Sequence, residues 1–301
     1  MRVIVTGATS FIGAETVRML LQKGEEVLAV VRPGSRNLSR LQELSEGLDG
    51  LTVRELDLRD IGGLSTPADA FLHLAWDGSG SGNRTLKDIQ AENAELSLGA
   101  VRAAARCQCR RFLFTGSQAE YGIRHELITE ETSTDPVSEY GKAKVKFGKE
   151  AAALCRDLSM DYIHARIFSV YGPGDHPWTL VNSCIDTWKK GQCMELSDCT
   201  QEWNFLYVED AAAALWHLLR EGPAGIYNVA SADTRPLRSY IEELYELCGR
   251  KGSYRYGLRP QNAEGAADLM PSIEKIRRET TWKPETSFRD GIRKMGGADE
   301  R

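Results

Sequence analysis

The sequence has 301 residues and a formal net charge of -5. This length suits one large core or two modest ones, and the acidic balance lacks the excess of lysine and arginine that neutralises nucleic-acid phosphates. No apolar stretch reaches the roughly 20 residues that span a bilayer. The seven cysteines, an odd number, favour free thiols in a reducing compartment. We therefore expect a cytoplasmic protein that binds neither nucleic acid nor membrane.

The predicted elements of the first half alternate between apolar runs and helical patterns. The predicted strands are residues 3–5, 27–31, 51–56, 70–75, 111–115 and 162–167. Helical patterns lie between most of them, at residues 14–23 and 86–105 for example. Such alternation, with strands that are apolar throughout, predicts an α/β fold with a doubly wound parallel sheet. Ligands of such folds bind at the carboxyl ends of the strands.

The pattern changes after about residue 171. Residues 172–177 form a predicted loop, and the later segments alternate less regularly. Residues 226–230 have the composition of one more sheet strand. We therefore predict that the second region returns to the first sheet and also forms a smaller α/β unit of its own.

The first strand runs into a turn of small residues before the first helix. Gly7 permits a tight turn, and the helix that opens near Ile12 directs unpaired N–H groups at its N-terminus, as phosphate cradles do. A stricter glycine pattern would have a third glycine where Ser10 stands, although a small side chain is tolerated there. The segment alone is equally compatible with a packing turn and with a nucleotide site.

The end of the second predicted strand bears on the choice of cofactor. In dinucleotide folds a carboxylate at this point binds the adenosine ribose, whereas an arginine suits a 2′-phosphate. The sequence has Arg32 there, followed by Ser35 and Arg36, and no carboxylate. This favours NADP(H) over NAD(H), the alternative being that both arginines are solvated loop charges. Asp57 follows the third strand, where an adenine amino group is expected.

Tyr140 and Lys144 are the strongest candidates for catalysis. Four residues apart on a predicted helix, they project from one face. An ammonium beside a phenol stabilises the phenolate and lowers the tyrosine pKa toward the range useful for proton transfer. The pair alone would be an ordinary exposed helix face, but Ser117 places a hydroxyl just past the end of a parallel strand.

These features together resemble the extended short-chain dehydrogenase/reductase family, in its branch of nucleotide-sugar epimerases, dehydratases and ketoreductases. The resemblance covers nearly the whole chain in matching order, and the consistency of many separate segments makes it specific. The segments that carry it are 6–13 (TGATSFIG), 57–60 (DLRD), 73–76 (HLAW), 117–122 (SQAEYG), 140–144 (YGKAK), 166–173 (RIFSVYGP) and 204–210 (NFLYVED).

The resemblance implies a role for each matching residue. Tyr140 would be the acid/base, Ser117 its partner on the substrate oxygen, and Lys144 the residue that holds the nicotinamide ribose. Asn93 matches an asparagine that buttresses the site. The implied cofactor-binding residues are Gly7, Ser10, Phe11, Ile12, Gly13, Arg32, Asp57, Leu58, Leu74, Ala75, Trp76, Thr115, Tyr140 and Lys144.

Departures from the family pattern reduce the number of reactions that we expect the protein to catalyse. The 4,6-dehydratases have an acidic pair directly after the position of Ser117, whereas this chain has Gln118 and Ala119, so a dehydratase is not expected. Family epimerases typically keep and recycle NAD, whereas Arg32 favours a dissociable NADPH. We therefore predict an NADPH-dependent reductase of a nucleotide-linked keto-deoxysugar, most simply a 4-keto sugar. The alternatives are a nucleotide-sugar 4-epimerase and a catalytically silent NADP-sensing regulator.

The expected substrate-binding positions follow the family pattern less closely than the cofactor-binding positions do. Trp203 stands where the family commonly has an arginine that grips the diphosphate, and Ser169 replaces an asparagine. Trp203 is then either a base-stacking residue or a packing residue, the second being favoured. The predicted substrate residues are Ser117, Gln118, Ser169, Trp203 and Arg259. His176, in the loop near the expected pocket, is predicted to be a surface histidine and no metal site is predicted.

The resemblance also implies two binding regions within the chain and a homodimer. Residues 1–170, with the further strand near 225–231, would be the NADP-binding Rossmann domain, and residues 171–301 mainly the substrate-binding region. Two copies would form a homodimer through the helices near residues 86–106 and 138–155.

Overall fold

A computed structural model of the protein describes residues 1–80, 82–260 and 267–296. Its first half alternates strands and helices. The elements in chain order are β1 (Arg2–Thr6), α1 (Phe11–Gln22), β2 (Glu26–Val31), α2 (Ser39–Ser45), β3 (Leu51–Glu55), β4 (Ala70–His73), α3 (Lys87–Arg106), β5 (Arg111–Ser117), α4 (Glu139–Asp157) and β6 (Asp161–Ile167). Short 3₁₀ helices span Leu58–Gly63 and Gln118–Glu120.

The second half contributes shorter strands and helices. In chain order they are β7 (Ser169–Tyr171), α5 (Leu180–Lys189), β8 (Cys193–Glu195), β9 (Glu202–Tyr207), α6 (Val208–Arg220), β10 (Gly225–Val229), β11 (Thr234–Pro236), α7 (Leu237–Leu247), β12 (Ser253–Arg255), α8 (Glu274–Glu279) and α9 (Phe288–Lys294).

Among the described residues, seven strands form one sheet in the order β10-β6-β5-β4-β1-β2-β3, and every neighbouring pair is parallel. The chain leaves β1 toward β2 and later returns to the other side of β1 as β4. The strand order therefore reverses beside β1, where such sheets open a crevice for a ligand. Thr6 and His73, the last residues of β1 and β4, lie side by side there. The predicted doubly wound parallel sheet is confirmed.

Helices cover both faces of this sheet because successive strand residues point to opposite sides. Val3 and Val5 belong to the core on one face, which α1 and α6 cover, whereas Ile4 packs on the other face, under α3 and α4. These residues have no exposed surface, which explains why the strands are apolar throughout.

The second half also builds a smaller α/β unit. It contains a three-stranded sheet in the order β11-β9-β7, a parallel pair of β12 and β8, and a core shared by α5, α7 and α9. β10 leaves this unit and pairs with β6 at the edge of the large sheet. In the described part of the chain, no helix is both long and apolar enough to cross a membrane.

Candidate active site

A cavity of about 670 Å³ runs along the carboxyl ends of β1, β2 and β4. It lies at the reversal of strand order, so it occupies the place where this fold binds ligands. Its lining includes the predicted cofactor residues Gly7, Ser10, Phe11, Arg32, Asp57, Leu58, Leu74, Ala75 and Trp76. Ile12 and Gly13 lie in the first turn of α1, behind this wall.

The turn between β1 and α1 needs two of its glycines. Gly7 has a φ of +71°, and a Cβ atom there would lie 2.6 Å from the backbone nitrogen of Ala75. A Cβ atom on Gly13 would lie 2.1 Å from the carbonyl oxygen of Gly7. Ser10 is the N-cap of α1, and its Oγ accepts a hydrogen bond from the Gly13 N–H at 3.1 Å. The Ser10 side chain therefore caps α1 at the position where a stricter pattern would have a third glycine.

The β2 end of the cavity is rich in positively charged side chains. Arg32, Arg36 and Arg40 all contribute to its lining, and Ser35 Oγ lies 3.0 Å from Thr9 Oγ1. Asp57 lies beyond the end of β3. Its carboxylate accepts a hydrogen bond from the Arg59 N–H at 2.9 Å and caps the following 3₁₀ helix.

A loop of the second half reaches the same cavity. Arg40 donates to the carbonyl oxygen of Gly174 at 2.8 Å, and His176 lines the cavity although its side chain is largely exposed. The imidazole of His176 stacks on Trp178, with 4.4 Å between ring centroids and 11° between planes. His176 is thus an exposed histidine in a loop beside the cavity, as the sequence predicted.

Tyr140 and Lys144 lie one turn apart on α4, and both are buried. Ser138 starts the helix, its Oγ accepting from the Gly141 N–H at 3.2 Å. The Lys144 ammonium donates to the carbonyl oxygen of Thr115 at 2.8 Å and lies 5.3 Å from the centroid of the Tyr140 ring. α4 thus brings the predicted pair to the carboxyl end of β5.

Lys144 is a buried cation in mostly aromatic surroundings. Its Nζ lies 4.3 Å from the centroid of the Trp76 ring and 4.5 Å from that of Phe114. Burial lowers the pKa of the Lys144 ammonium to about 7, Glu120 opposes this change, and Arg84 adds to it. A lysine with such a pKa changes its charge within the physiological range.

Arg84 is a residue of this site that the sequence did not reveal. Its guanidinium lies 4.5 Å from the centroid of the Tyr140 ring, and its carbonyl oxygen accepts from the Tyr140 N–H at 2.9 Å. Two cationic side chains, Arg84 and Lys144, therefore lie against the Tyr140 ring. Arg84 lies before α3, far from α4 in sequence, so no local pattern could pair it with Tyr140.

Trp76 and Asn93 connect the site to α3. The Trp76 indole meets Tyr140 edge-on, at 6.3 Å and 88°, and its N–H donates to Gln90 at 2.8 Å. Asn93 accepts from the Asp77 N–H at 2.9 Å and donates to the Asp77 carbonyl oxygen at 2.8 Å. The buttressing asparagine implied by the resemblance thus fixes the segment that follows β4.

Ser117 is the last residue of β5 and pairs in register with Ile167 of β6. The strand is longer than the sequence pattern predicted, because the β5–β6 pairing continues through Gly116. Ser117 Oγ accepts from the Ala119 N–H at 3.2 Å, and the Ser117 N–H donates to the Glu120 carboxylate at 2.8 Å. These two bonds form a capping box over a short 3₁₀ helix.

Glu120 is fully buried and forms a cluster with two residues of β6. Its carboxylate lies 3.0 Å from His164 Nε2 and accepts from Arg166 Nε at 3.0 Å. Burial alone would raise the pKa of Glu120, but His164, Arg166 and the Ser117 N–H outweigh it and lower the pKa to about 2. The S-x-x-E spacing from Ser117 to Glu120 was the available sequence signal for this cap.

A second cavity, of about 320 Å³, lies between Gln118 and the smaller unit. Its wall is mostly apolar, and Arg259 is the charged side chain among the described residues that line it. Trp203 lines the cavity as well as packing on the core. The Trp203 indole N–H and the Gln201 Oε1 are buried and have no hydrogen-bond partner among the described residues. Ser169 is not among the described residues that line either cavity.

The parallel sheet and the cavity at its reversal of strand order define a dinucleotide-binding scaffold. Ser117, Tyr140 and Lys144 are not among the described residues that line either cavity, although Trp76 of the first cavity contacts Tyr140 and Lys144, and Gln118 of the second follows Ser117. The family model for the NAD dependent epimerase/dehydratase family matches residues 3–230. The chain belongs to this family, so the predicted class, an NAD(P)-dependent enzyme of the extended short-chain dehydrogenase/reductase type, is confirmed.

Similar proteins span nearly the whole chain. It is 24% identical to the uncharacterized UDP-glucose epimerase YtcB of Bacillus subtilis, over 97% of this chain and 96% of that protein. It is 26% identical to a dTDP-glucose 4,6-dehydratase of Escherichia coli, over 98% of this chain and 91% of that protein. The crystal structure of a Bacillus cereus UDP-glucuronic acid 4-epimerase with UDP-glucuronic acid and NAD superposes with a TM-score of 0.86 at 21% identity, covering 98% of each chain.

Proposed function

We propose that the protein is an NADPH-dependent reductase of a nucleotide-linked 4-keto-deoxysugar. The observation that carries the proposal is the pairing of an intact Ser117, Tyr140 and Lys144 with Gln118 and Ala119. The first three suffice for proton transfer at a carbonyl. The amide and methyl groups that follow supply no acid or base for the elimination of water.

The cofactor cavity has the chemistry that a dinucleotide needs. Gly7 and Gly13 leave space that a Cβ would fill, and the N-terminus of α1 faces the cavity through Ser10 and Phe11. Arg32 and Arg36 at the far end suit the 2′-phosphate of NADP(H). When bound, the nicotinamide supplies the hydride for the keto carbon.

The protein's own residues handle the substrate oxygen. Tyr140 gives its proton to that oxygen, and Ser117 hydrogen-bonds to it and polarises the carbonyl. Lys144 and Arg84 stabilise the negative charge left on Tyr140. Lys144 also binds the ribose hydroxyls of the cofactor, for which its ammonium has donors besides the one bound to Thr115.

The substrate's nucleotide end is assigned to the second cavity. Gln118 lines this cavity and directly follows Ser117 in the chain, so a sugar bound at Ser117 has its nucleotide end in this cavity. Arg259 meets the negative charge of the phosphates, and the unpaired Trp203 N–H and Gln201 oxygen offer one donor and one acceptor to the substrate. Ser169, in β7, is retained as a more distant contact.

Turnover of dTDP-4-keto-6-deoxyglucose with NADPH tests the proposed reaction. We expect stoichiometric oxidation of NADPH and a reduced sugar product. Tyr140→Phe removes the proton donor without changing the ring, so the chemical step is expected to slow by about 10²–10⁴-fold. NADPH affinity, measured by calorimetry, is expected to stay within a factor of about two, because the phenol contributes little to it.

The second candidate is a nucleotide-sugar 4-epimerase, favoured by the several epimerases among the similar proteins. In that case the same trio would oxidise and re-reduce one carbon. Protein that is purified with firmly held NAD and interconverts UDP-sugars without consuming NADPH would establish the epimerase and refute the reductase.

We also infer that two copies form a homodimer through the outer faces of α3 and α4, which pack side by side. α3 exposes Glu95, and α4 exposes Lys142 and Lys146. A two-fold axis that places α3 of one copy against α4 of the other brings these opposite charges together.

A further inference from the structure

A buried cluster of ionisable side chains lies under Ser117. Glu120 has no exposed surface, and it touches the backbone of Ser117 and the side chains of His164 and Arg166. A buried ion cluster seldom adds net stability over apolar packing of the same volume. Its position behind the residues that carry the chemistry therefore calls for a functional account.

The cluster is closely packed. A Cβ atom on Gly116 would lie 2.2 Å from His164 Nε2 and 2.4 Å from a Glu120 carboxylate oxygen. On the other side, a Cβ atom on Gly148 of α4 would lie 2.7 Å from His164 Cε1. The carboxylate consequently has little freedom to move, and the Ser117 N–H bonded to it is held in one place.

The same strand end serves Lys144. Thr115, two residues before Ser117, accepts the hydrogen bond of the Lys144 ammonium. The groups that face Lys144 are the His73 imidazole from β4, the Arg84 guanidinium, the Tyr140 phenol and the Glu120 carboxylate. His73 is fully buried, and burial, reinforced by Lys144, lowers its pKa to about 3, so it is neutral. Glu120 is thus the negative charge that opposes the burial of Lys144.

Charged and polar groups also surround Glu120 itself. His164 and Arg166 approach from β6, and the phenols of Tyr121 and Tyr162 lie next to them. Among these neighbours the carboxylate is the one anion, because burial raises the pKa of both phenols.

We propose that Glu120 is a positioning residue with two actions at one strand end: it fixes the backbone of Ser117, and it supplies the buried negative charge for the Lys144 ammonium that is bonded to Thr115. The inference rests on the proposed function in one respect, that Lys144 meets the cofactor ribose. It holds for a reductase and for an epimerase alike. No other group in the described surroundings of Lys144 replaces this charge.

The test follows NADPH affinity by calorimetry between about pH 6 and pH 9. In the wild-type protein, affinity is expected to fall as pH rises through the pKa of Lys144, because the neutral amine donates more weakly to the ribose. Glu120→Gln keeps an acceptor for the Ser117 N–H and removes the charge. The midpoint of the fall is then expected at a pH lower by about one unit.

Control variants separate this action from general loosening. Glu139→Gln removes a half-exposed carboxylate from α4, the helix that carries Lys144; this carboxylate is paired with Lys142, and the midpoint is expected to stay unchanged. Lys144→Met is expected to abolish the pH step. If Lys144→Met keeps the step, the assigned contact between Lys144 and the cofactor is wrong and the present inference falls with it.

A midpoint in Glu120→Gln equal to that of the wild type, while Lys144→Met has no step, overturns the inference alone and leaves the proposed function standing. Because Glu120→Gln leaves Arg166 without its counter-ion, its fold is checked by thermal unfolding. If it does not fold, His164→Gln is used, which keeps the carboxylate. Its midpoint is expected at or above that of the wild type, and a lower one refutes the role of Glu120.

Discussion

The pKa of Lys144 shows how the surroundings of a single residue in this site determine its charge. Lys144 is buried against Trp76 and Phe114, which favours the neutral amine. The charge of Glu120 and the hydrogen bond to the Thr115 carbonyl oxygen favour the cation. The opposing effects leave a pKa of about 7. A lysine at this balance responds to the loss of a single neighbouring charge, which an exposed lysine would not.

Arg32 is the residue on which cofactor choice is expected to depend. Arg32→Asp removes a charge-assisted hydrogen bond to the 2′-phosphate, and such bonds contribute about 1.5–3 kcal/mol, so NADPH affinity should fall by roughly 10–100-fold. NADH affinity is expected to stay level or to rise, because a carboxylate can bind the ribose hydroxyls. Calorimetric titration with both cofactors provides the measurement.

Arg54→Asp is the matched control, since Arg54 is exposed on β3 and is not among the described residues that line the cofactor cavity. It changes the net charge of the protein by the same amount. Equal losses of NADPH and NADH affinity in Arg32→Asp would show that Arg32 does not read the 2′-phosphate.

The residues that could be predicted from sequence are those whose geometry is local. The four-residue spacing of Tyr140 and Lys144 and the position of Ser117 after a strand follow from helix and strand periodicity. Arg84 and His164 reach the site from distant segments, and no periodicity relates them to Tyr140 or Ser117. Their roles became apparent only through the packing of the loop before α3 and of β6.

At the scale of elements, the turn between β1 and α1 is the most constrained connection in the site. At Gly7 a side chain would collide with the backbone of the segment after β4, and at Gly13 one would collide with the Gly7 carbonyl. Ser10 Oγ accepts the hydrogen bond that caps α1. The residue that departs from a strict glycine pattern is thus accommodated as a helix N-cap, a role in which serine is favoured.

Gly13→Ala is expected to be costly. The added methyl group would collide with the Gly7 carbonyl, which is backbone and cannot rotate away, so we expect a loss of stability of about 2–3 kcal/mol and weaker NADPH binding. Thermal and urea unfolding measure the first effect.

Gly47→Ala provides the comparison, because a Cβ atom there meets no described atom within 4 Å. Its stability is expected to change by less than about 0.5 kcal/mol. If Gly13→Ala were as stable as Gly47→Ala, the tight approach in this turn would not be a real constraint.

The sheet itself was predictable at the level of elements, whereas the limits of its strands were not. Continuously apolar runs separated by helical patterns specify a parallel sheet. The extension of β5 to Ser117 depends on hydrogen bonds to β6, and these are not encoded in the composition of residues 111–115. The placement of β10 beside β6 likewise depends on tertiary packing.

At the scale of the whole molecule, the two halves of the chain depend on each other. β10 completes the large sheet, and Arg40 of α2 bonds to Gly174 of the second half. The cofactor cavity is thereby lined from both halves of the sequence. We propose that residues 1–170, with β10, bind the cofactor and that the remainder mainly shapes the substrate pocket.

The homodimer inferred from α3 and α4 leads to a prediction about association. Wild-type protein is expected to sediment as a dimer, and Lys146→Glu to shift the equilibrium toward monomer, because it places a like charge opposite Glu95. Lys190→Glu, an exposed change at the end of α5, is the control. Sedimentation velocity over a dilution series measures the effect, and a wild-type monomer at every concentration would refute the dimer.

The stack of His176 on Trp178 has a spectroscopic consequence. The Trp178 indole is 65% exposed, whereas the imidazole against it borders the cofactor cavity. A ligand that enters the cavity changes the electronic surroundings of His176, and the quantum yield of the adjoining indole changes with it. Comparison of the wild type with Trp178→Phe would isolate the part of the fluorescence change that this stack contributes when the cofactor is added, in real time and without an attached dye.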